Sequence, residues 1–391
     1  MEDAHSVQWS RDGVPHTARW RSERGAPPPK RVVIADDGTN ANHAYGLACQ
    51  GTGLMWRGDF QNARQMLNAL ASRVDRPARK PKPGAELPTL DAPVGTPAMA
   101  TAFHNHRQSR SQRARTLGML LVELDADYGI DLRRAPDLRQ ACREVYGPAD
   151  GPSVVSLREL LGLVGAHEWR IKGIDIPAAG GRIHPHYGVF TPVRREYVDL
   201  VANAPLPPAT AATSVAFDIG TGTGVLAAVL ARRGLARVIA TDQDPRALAC
   251  AHANIERLGV RDKVEVIAAD LFPDGRAALV LCNPPWVPAR PSSPLEYGIY
   301  DHESRMLRGF LAGLAEHLVP AGEGWLILSD LAEHLGLRTR AELLEAIEGA
   351  KLRVVDRTDV RPVHPKAFDA TDPLHAARAA EVTSLWRLAV R

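Results

Sequence analysis

The most informative stretch of this sequence runs from Val215 to Gly224 and reads VAFDIGTGTG. Its first half has the apolar character of a buried strand, and an apolar run that fits a helix over 224–234 follows its second half. Glycine lets the backbone turn tightly and approach a ligand, and the free amide groups at a helix start would face that ligand. The stretch therefore predicts a ligand-binding loop, which contains Gly220, Thr221, Gly222 and Gly224.

The acidic residue ahead of the glycines indicates the kind of ligand. The spacing G-x-G-x-G lacks the third glycine of the dinucleotide fingerprint, and the carboxylate of Asp218 would repel phosphates and attract a cationic amine. Asp242, about 20 residues further on, can accept both hydroxyls of a ribose. Asp270 can accept from an adenine amino group, with Leu271 or Phe272 against the ring. These sites together describe S-adenosylmethionine, whereas Asp242 and Asp270 taken alone could be ordinary turn residues at strand ends.

A second motif, Asn283-Pro284-Pro285-Trp286, follows a strand predicted over 278–282. Asn-Pro-Pro-aromatic after this strand is the hallmark of class I S-adenosylmethionine-dependent methyltransferases acting on planar nitrogens, and residues 182–391 resemble that group. It includes release-factor glutamine methyltransferases, amino-group DNA methyltransferases and ribosomal-RNA guanine methyltransferases of the small-domain type, which usually have Tyr or Phe where this chain has Trp286.

The resemblance implies a catalytic part for each residue of this motif. The side-chain oxygen of Asn283 and the carbonyl of Pro284 would accept hydrogens from the substrate NH2 group, which orients the nitrogen and stabilises the charge that develops on it. Pro285 would stiffen the loop, and Trp286 would stack on the flat substrate group. The reaction so implied is a direct in-line methyl transfer that needs no metal.

The segment 187–201 resembles the element that precedes the first strand in the release-factor branch. By that likeness Thr191 and Glu196 border the methionine end of the cofactor. An equally good interpretation is a helix cap, with Thr191 as N-cap and Pro192 in the first turn.

Strand and helix patterns alternate from residue 214 to the end, which predicts a mostly parallel sheet with helices on both faces. With the resemblance, the fold class is α/β, a Rossmann-like seven-stranded class I methyltransferase domain over 214–391. We predict a mostly helical N-terminal domain before it, in which Leu117, Leu120, Leu121 and Leu124 share one buried helix face. The predicted parts are a flexible tail (1–30), this substrate-selecting domain (31–165) with a proline-rich linker (77–98), and a hairpin and helix leading into the catalytic domain (166–213).

Composition narrows the possible classes. The four cysteines are widely spaced, so a disulfide scaffold and a cysteine zinc site are both improbable. No apolar run is long enough to span a bilayer and the polar start does not suggest a signal peptide, so we expect a cytoplasmic protein without a membrane partner. Residues 1–116 carry 17 Lys and Arg against 10 Asp and Glu, and the remainder carries 31 against 35. A basic front part suits an acidic partner, although a solvated surface explains it equally well.

The sequence is compatible with three kinds of methyl acceptor. The resemblance of 187–201 favours a glutamine side-chain amide of a protein. The basic front part suits the exocyclic amine of a nucleobase in ribosomal or transfer RNA. A small molecule is the third, and a non-catalytic cofactor-binding module is the alternative outside enzymes. We expect a protein or RNA substrate to bind through the N-terminal domain.

Overall fold

The computed structural model describes residues 6–76, 93–363, 369 and 371–391 and divides into two compact units. Unit 1 comprises 1–88 and 104–168, and unit 2 comprises 89–103 and 169–391. The division falls within two helices, Pro97–Leu117 and Leu157–Lys172. In the described part of the chain, no helix is both long and apolar enough to cross a bilayer.

Unit 1 is built around a six-stranded mixed sheet. Its elements in chain order are β1 (Ser6–Arg11), β2 (Val14–Arg21), β3 (Arg31–Ala35), α1 (Ala41–Cys49), β4 (Thr52–Trp56), α2 (Phe60–Val74), α3 (Pro97–Leu117), β5 (Leu120–Leu124), α4 (Arg139–Tyr146), β6 (Ser153–Ser156) and α5 (Leu157–Lys172). The strand order is β1-β2-β6-β5-β4-β3, with β3, β4 and β5 parallel. Helices α1, α2, α3, α4 and α5 account for the helical part of the predicted N-terminal domain.

The prediction of a flexible tail over 1–30 was wrong for residues 6–30, and its first five residues lie outside the described residues. Strands β1 and β2 form a hairpin whose two-residue turn is Asp12-Gly13, and both turn residues have positive φ angles of 51° and 81°. Asp-Gly is a strong signal for such a turn. Val7 and Trp9 are buried on one face of this hairpin, so burial of alternate side chains holds the segment in place.

The prediction of a mostly helical N-terminal domain was also wrong. Leu117 ends α3, whereas Leu120, Leu121 and Leu124 lie in β5, where all three are fully buried. A parallel strand covered on both faces is apolar throughout, so its sequence shows no alternation and can be mistaken for a helix face. Most of the predicted linker 77–98 lies outside the described residues, and Pro97 already begins α3.

Unit 2 contains a seven-stranded sheet. Its elements are β7 (Ile174–Ile176), β8 (Gly181–Ile183), α6 (Glu196–Asn203), β9 (Val215–Ile219), α7 (Val225–Arg232), β10 (Arg237–Asp242), α8 (Pro245–Arg257), β11 (Val264–Ala268), β12 (Ala277–Cys282), α9 (Arg305–His317), β13 (Leu318–Ser329), α10 (Leu331–His334), α11 (Arg340–Gly349), β14 (Leu352–Val360), α12 (His375–Ala380) and β15 (Thr383–Val390). The order is β11-β10-β9-β12-β13-β15-β14, and β15 is antiparallel to both of its neighbours.

The strand order reverses between β9 and β12, which are neighbours in the sheet although two helices and two strands separate them in the chain. Two apolar clusters cover the faces, one involving α6, α7 and α8 and the other involving α9 and α11. Ligands of open α/β sheets bind where the order reverses, at the carboxyl ends of the strands. The loops after β9 and β12 meet at this place.

The hairpin predicted at the start of 166–213 is present but shorter than expected. Its strands are β7 and β8, which pair antiparallel around the turn at Gly180. Helix α5 extends to Lys172 and includes Trp169 and Ile171, which lie at the start of the segment predicted to hold the hairpin. Both side chains are exposed, at 47% and 67%, so their alternation with charged residues did not reflect a buried sheet face.

Candidate functional site at the strand ends

The glycine loop leaves β9 and enters α7 as predicted. Gly220, Gly222 and Gly224 have φ angles of 70°, 55° and 78°, a region that residues with a Cβ rarely adopt. A Cβ atom at Gly220 would lie 2.3 Å from Cε of Met306, whereas one at Gly222 would meet nothing within 4 Å. The loop is therefore closely packed at its first glycine and open at its second.

Asp218 lies at the base of this loop and is 1% exposed. Its carboxylate accepts hydrogen bonds from the Thr221 hydroxyl at 2.6 Å and from the Ala227 backbone N–H at 3.0 Å. Burial raises the pKa of Asp218 to about 6, and these two hydrogen bonds lower it only in part. A buried carboxylate of this kind is stabilised in its ionised form by a cationic ligand.

Glu196 supplies a second buried carboxylate in the same region. It opens α6, it is 9% exposed, and its Oε1 has no hydrogen-bond partner. Burial, followed by the charges of Asp218 and Glu196, raises the pKa of Tyr197, which indicates that both acids lie near this phenol. The helix begins at Glu196 with Arg195 as its N-cap residue, so Thr191 is not the N-cap, and its hydroxyl donates to the Val189 carbonyl at 3.4 Å.

Asp242 ends β10 beside the glycine loop. Its carboxylate accepts from the backbone N–H groups of Gly222 and Asp244, each at 3.0 Å, and burial raises its pKa. The structure therefore joins two of the predicted cofactor positions, the open part of the loop and the acid at the next strand end.

Asp270 and Leu271 are differently placed. The carboxylate of Asp270 is exposed and forms an ion pair with Arg305 at 2.6 Å. The Leu271 carbonyl accepts from the Thr241 hydroxyl at 2.6 Å, and its side chain lies against α9 at Gly309. Contact of either residue with an adenine ring stays a prediction.

The motif at 283–286 follows β12, directly beside β9, since Cys282 pairs with Ile219. The indole Nε1–H of Trp286 donates to Oδ1 of Asn283 at 2.9 Å. An indole nitrogen can only donate, so this bond identifies the amide atom that faces it as the oxygen. Trp286 is half-buried and packs against three apolar clusters, so it is anchored in the protein. Sequence reasoning considered only a stacking function for it and missed this bond.

Sequence reasoning also missed Asn254, which is fully buried in α8. Its Nδ2 donates to the Thr223 carbonyl of the glycine loop at 3.0 Å, and its Oδ1 accepts from the His184 backbone N–H at 2.7 Å. A buried polar residue within an apolar helix pattern was the available signal. Asn254 holds the glycine loop against the segment that follows β8.

S-adenosylmethionine fits these residues. Its α-ammonium group would give the unpartnered Glu196 oxygen a donor and would offset the buried charge of Asp218. Asp242 carries acceptor oxygens of the kind that two ribose hydroxyls require. In the described residues, no group of three or more His, Cys, Asp or Glu side chains is arranged to hold a metal ion.

The part of the chain that carries this site is similar to known methyltransferases. Residues 181–347 match the family model described as methyltransferase small domain. A ribosomal protein L11 methyltransferase of Pelotomaculum thermopropionicum is 49% identical over 69 residues, which are 17% of this chain and 22% of that protein. A release factor glutamine methyltransferase of Cereibacter sphaeroides is 34% identical over 159 residues, which are 37% of this chain and 55% of that protein. The chain thus spans about half or less of the length of these relatives.

Among solved structures, a methyltransferase from Pyrococcus furiosus is 19% identical, with 59% of this chain and 99% of that chain covered and a TM-score of 0.38. The family match encloses the glycine loop, Asp218, Asp242 and the motif at 283–286. Residues 181–347 are therefore similar to the methyltransferase small domain, which agrees with the resemblance to class I S-adenosylmethionine-dependent methyltransferases.

Proposed function

We propose that this chain is an S-adenosylmethionine-dependent methyltransferase that methylates a planar nitrogen. The observation that supports this most directly is the pairing of β9 with β12, which brings the buried acid Asp218 and the acceptor Asn283 to neighbouring strand ends. Binding of a cationic amine and capture of a substrate NH2 group would then occur side by side. When bound, the cofactor supplies an electrophilic methyl group on a sulfonium sulfur, which leaves as a neutral thioether.

The chain's own residues would activate a poor nucleophile by orienting it. The lone pair of an amide or aromatic amine nitrogen is delocalised, so the N–H groups must be held while the nitrogen forms its new bond to carbon. Oδ1 of Asn283 has two lone pairs, and Trp286 uses one of them. The second lone pair and the Pro284 carbonyl would accept the two substrate N–H groups and stabilise positive charge on the nitrogen, which then loses one proton to solvent.

The methyl acceptor we favour is the glutamine side-chain amide of a protein. This choice is supported by the resemblance of 187–201 to the release-factor branch and by the relatives named release factor glutamine methyltransferase, including one of Geobacter sulfurreducens that is 33% identical over 156 residues. Relatives named ribosomal protein L11 methyltransferase also act on a protein by their printed name. A protein substrate would bind through unit 1.

A nucleobase amine is the second candidate, and one cluster in unit 1 favours it. Burial, reinforced by the charges of Arg24, Arg113 and Arg110, lowers the pKa of Arg158 to about 10. The Glu23 backbone N–H donates to Glu159 at 3.0 Å, which places the turn carrying Arg24 against the first turn of α5. Closely spaced arginines of this kind suit a phosphate backbone.

Transfer of radiolabelled methyl from S-adenosylmethionine into a cell extract, divided by RNase and protease treatment, tests the proposal. Label that protease removes, that survives RNase and that an Asn283→Ala enzyme does not produce is the expected result. Asn283-dependent label destroyed by RNase would identify a nucleobase acceptor instead. No Asn283-dependent label in any fraction would refute the proposed activity.

A further inference from the structure

Four neighbouring strands of unit 2 carry polar residues at the same end of the sheet. We call this set the polar row and define it as Asp218, Asn283, Ser329 and Thr383. In the sheet order β9, β12, β13 and β15 are consecutive, and Ser329 pairs directly with Thr383. The row begins at the proposed cofactor acid, passes the proposed acceptor of the substrate amine and continues for two more strands.

The members of the polar row also point to the same face. Each lies two positions from a residue of the cluster that α6, α7 and α8 cover, and side chains two apart in a strand share a face. These cluster residues are Ala216, Leu281, Ile327 and Leu385. The last two members of the row therefore lie on the side of the sheet where Asn283 would receive its substrate.

Glu381 lies at the far end of the polar row with an unused oxygen. Its side chain is fully buried, and its Oε1 accepts from Ser329 Oγ and from Arg194 Nη1, each at 2.8 Å. Its Oε2 is buried without a partner, and so is the hydroxyl of Thr383, which is 0% exposed. Buried polar atoms are nearly always paired, so these two unpaired atoms, one just before β15 and one at its first residue, indicate that a ligand group completes them.

We infer that Glu381, Thr383 and Arg194 form a subsite for the peptide group next to the glutamine whose side chain is methylated. Glu381 Oε2 and the Thr383 hydroxyl oxygen both accept the main-chain N–H of the glutamine. An N–H of Arg194 that Glu381 does not use donates to a main-chain carbonyl. This inference rests on the proposed function, and it deepens it by naming the substrate feature that is recognised. The three residues are positioning residues, since they do not touch the nitrogen that reacts.

The dimensions of a sheet agree with this assignment. Two strand spacings, about 10 Å, separate β12 from β15. A glutamine measures about 5–6 Å from its side-chain nitrogen to its main-chain nitrogen, and a hydrogen bond of about 2.9 Å at either end extends this to about 11–12 Å. One glutamine residue thus spans the distance from Asn283 to the subsite.

Two small amides with the same reacting group test the inference. N-acetyl-glutamine methylamide carries both flanking peptide groups, and propionamide carries none. We expect the wild-type enzyme to prefer the flanked amide. Thr383→Val and Glu381→Gln should raise its KM roughly 3–10-fold, the loss of about one hydrogen bond, with kcat nearly unchanged and kcat/KM for propionamide unaffected.

Glu323→Gln is the matched control. Glu323 is a buried carboxylate on the same strand β13 as Ser329, but it lies six residues earlier in that strand and pairs with Arg387 at 2.8 Å. A merely structural change at a buried Arg–Glu pair would affect both amides equally in this variant. Thr383→Val adds a readout without catalysis, because removing an unpartnered hydroxyl should leave the melting temperature unchanged or raise it, and it remains testable if Glu381→Gln does not fold.

The outcomes separate the subsite from the proposed function. Methylation of both amides by every variant with an unchanged preference would refute the subsite alone. Failure of the wild-type enzyme to methylate either amide, while an Asn283-dependent label enters RNA, would refute the glutamine substrate and the subsite with it. A raised KM for the flanked amide in Thr383→Val, with no change in Glu323→Gln, would support the inference.

Discussion

Replacing Asp218 by asparagine should remove most of the pH dependence of cofactor binding. The pKa of Asp218 in the folded protein is about 6, against 3.8 for an ordinary aspartate in water. Between about pH 4 and pH 6, Asp218 is therefore largely protonated in the folded chain and largely ionised in the unfolded chain. Binding of the cofactor's ammonium group requires the ionised carboxylate, so acidification below pH 6 should weaken binding.

The magnitude follows from the same shift. Two pKa units correspond to about 3 kcal/mol. As pH rises from about 4 to above 6, the free energy of unfolding of the free protein therefore falls by at most about 3 kcal/mol. If the bound state keeps the carboxylate ionised, the Kd at about pH 5 should be roughly tenfold weaker than at about pH 8. Asp218→Asn should weaken binding at neutral pH, flatten this profile, and raise the free energy of unfolding of the free protein by at most about 3 kcal/mol.

Isothermal titration calorimetry with S-adenosylhomocysteine, which keeps the amino-acid end, measures the profile for wild type and variant. Asp242→Asn is the matched control, because Asp242 is also buried with a raised pKa but is assigned to the ribose. It should weaken binding and retain the slope below pH 6. An unchanged Kd between pH 5 and 8 in the wild type, or an equal slope in Asp218→Asn, would refute the reasoning.

Three further predictions concern the loop and the motif. Asn283→Ala should reduce methyl transfer by about 10²–10³-fold with an unchanged Kd for S-adenosylhomocysteine, and a parallel loss of binding would contradict its assignment to the substrate. Trp286→Phe keeps much of the packing but removes the 2.9 Å hydrogen bond to Asn283. We expect kcat to fall roughly 3–10-fold, which corresponds to the loss of about one hydrogen bond. An unchanged kcat would show that Asn283 does not need this bond. Gly220→Ala would force a residue with a Cβ atom into a φ of 70° and displace the flexible end of Met306, so calorimetry should show a loss of affinity for S-adenosylhomocysteine. Gly349→Ala, at a helical position with open space around it, should not produce this loss.

The N-terminal part illustrates where local patterns mislead. The apolar run around Leu120 and Leu121 was assigned to a helix because buried parallel strands lack the alternation that identifies a strand. The Asp12-Gly13 turn carried a usable signal for the hairpin of β1 and β2, yet it stands in a polar segment that resembles a tail. The hairpin itself is local, but β2 also pairs with β6, and β5 pairs with β4 and β6, so in both cases distant segments complete the sheet.

The ligand-binding elements were readable from the sequence because they are local. The glycine loop, the acid ahead of it and the Asn283 motif each occupy fewer than ten consecutive residues, and backbone geometry alone requires glycine and proline there. Such motifs keep their chemistry wherever the rest of the chain goes, so together with the family resemblance they predicted a Rossmann-like methyltransferase fold and its cofactor.

Tertiary structure decided what these residues experience and which others join them. The raised pKa of Asp218 comes from burial, and the unpartnered oxygen of Glu196 comes from the packing of α6, neither of which spacing reveals. Arg194 and Glu381 are 187 residues apart and meet only because β15 returns beside β13. Solvation and long-range pairing are properties of the whole sheet, since they depend on what covers each strand end.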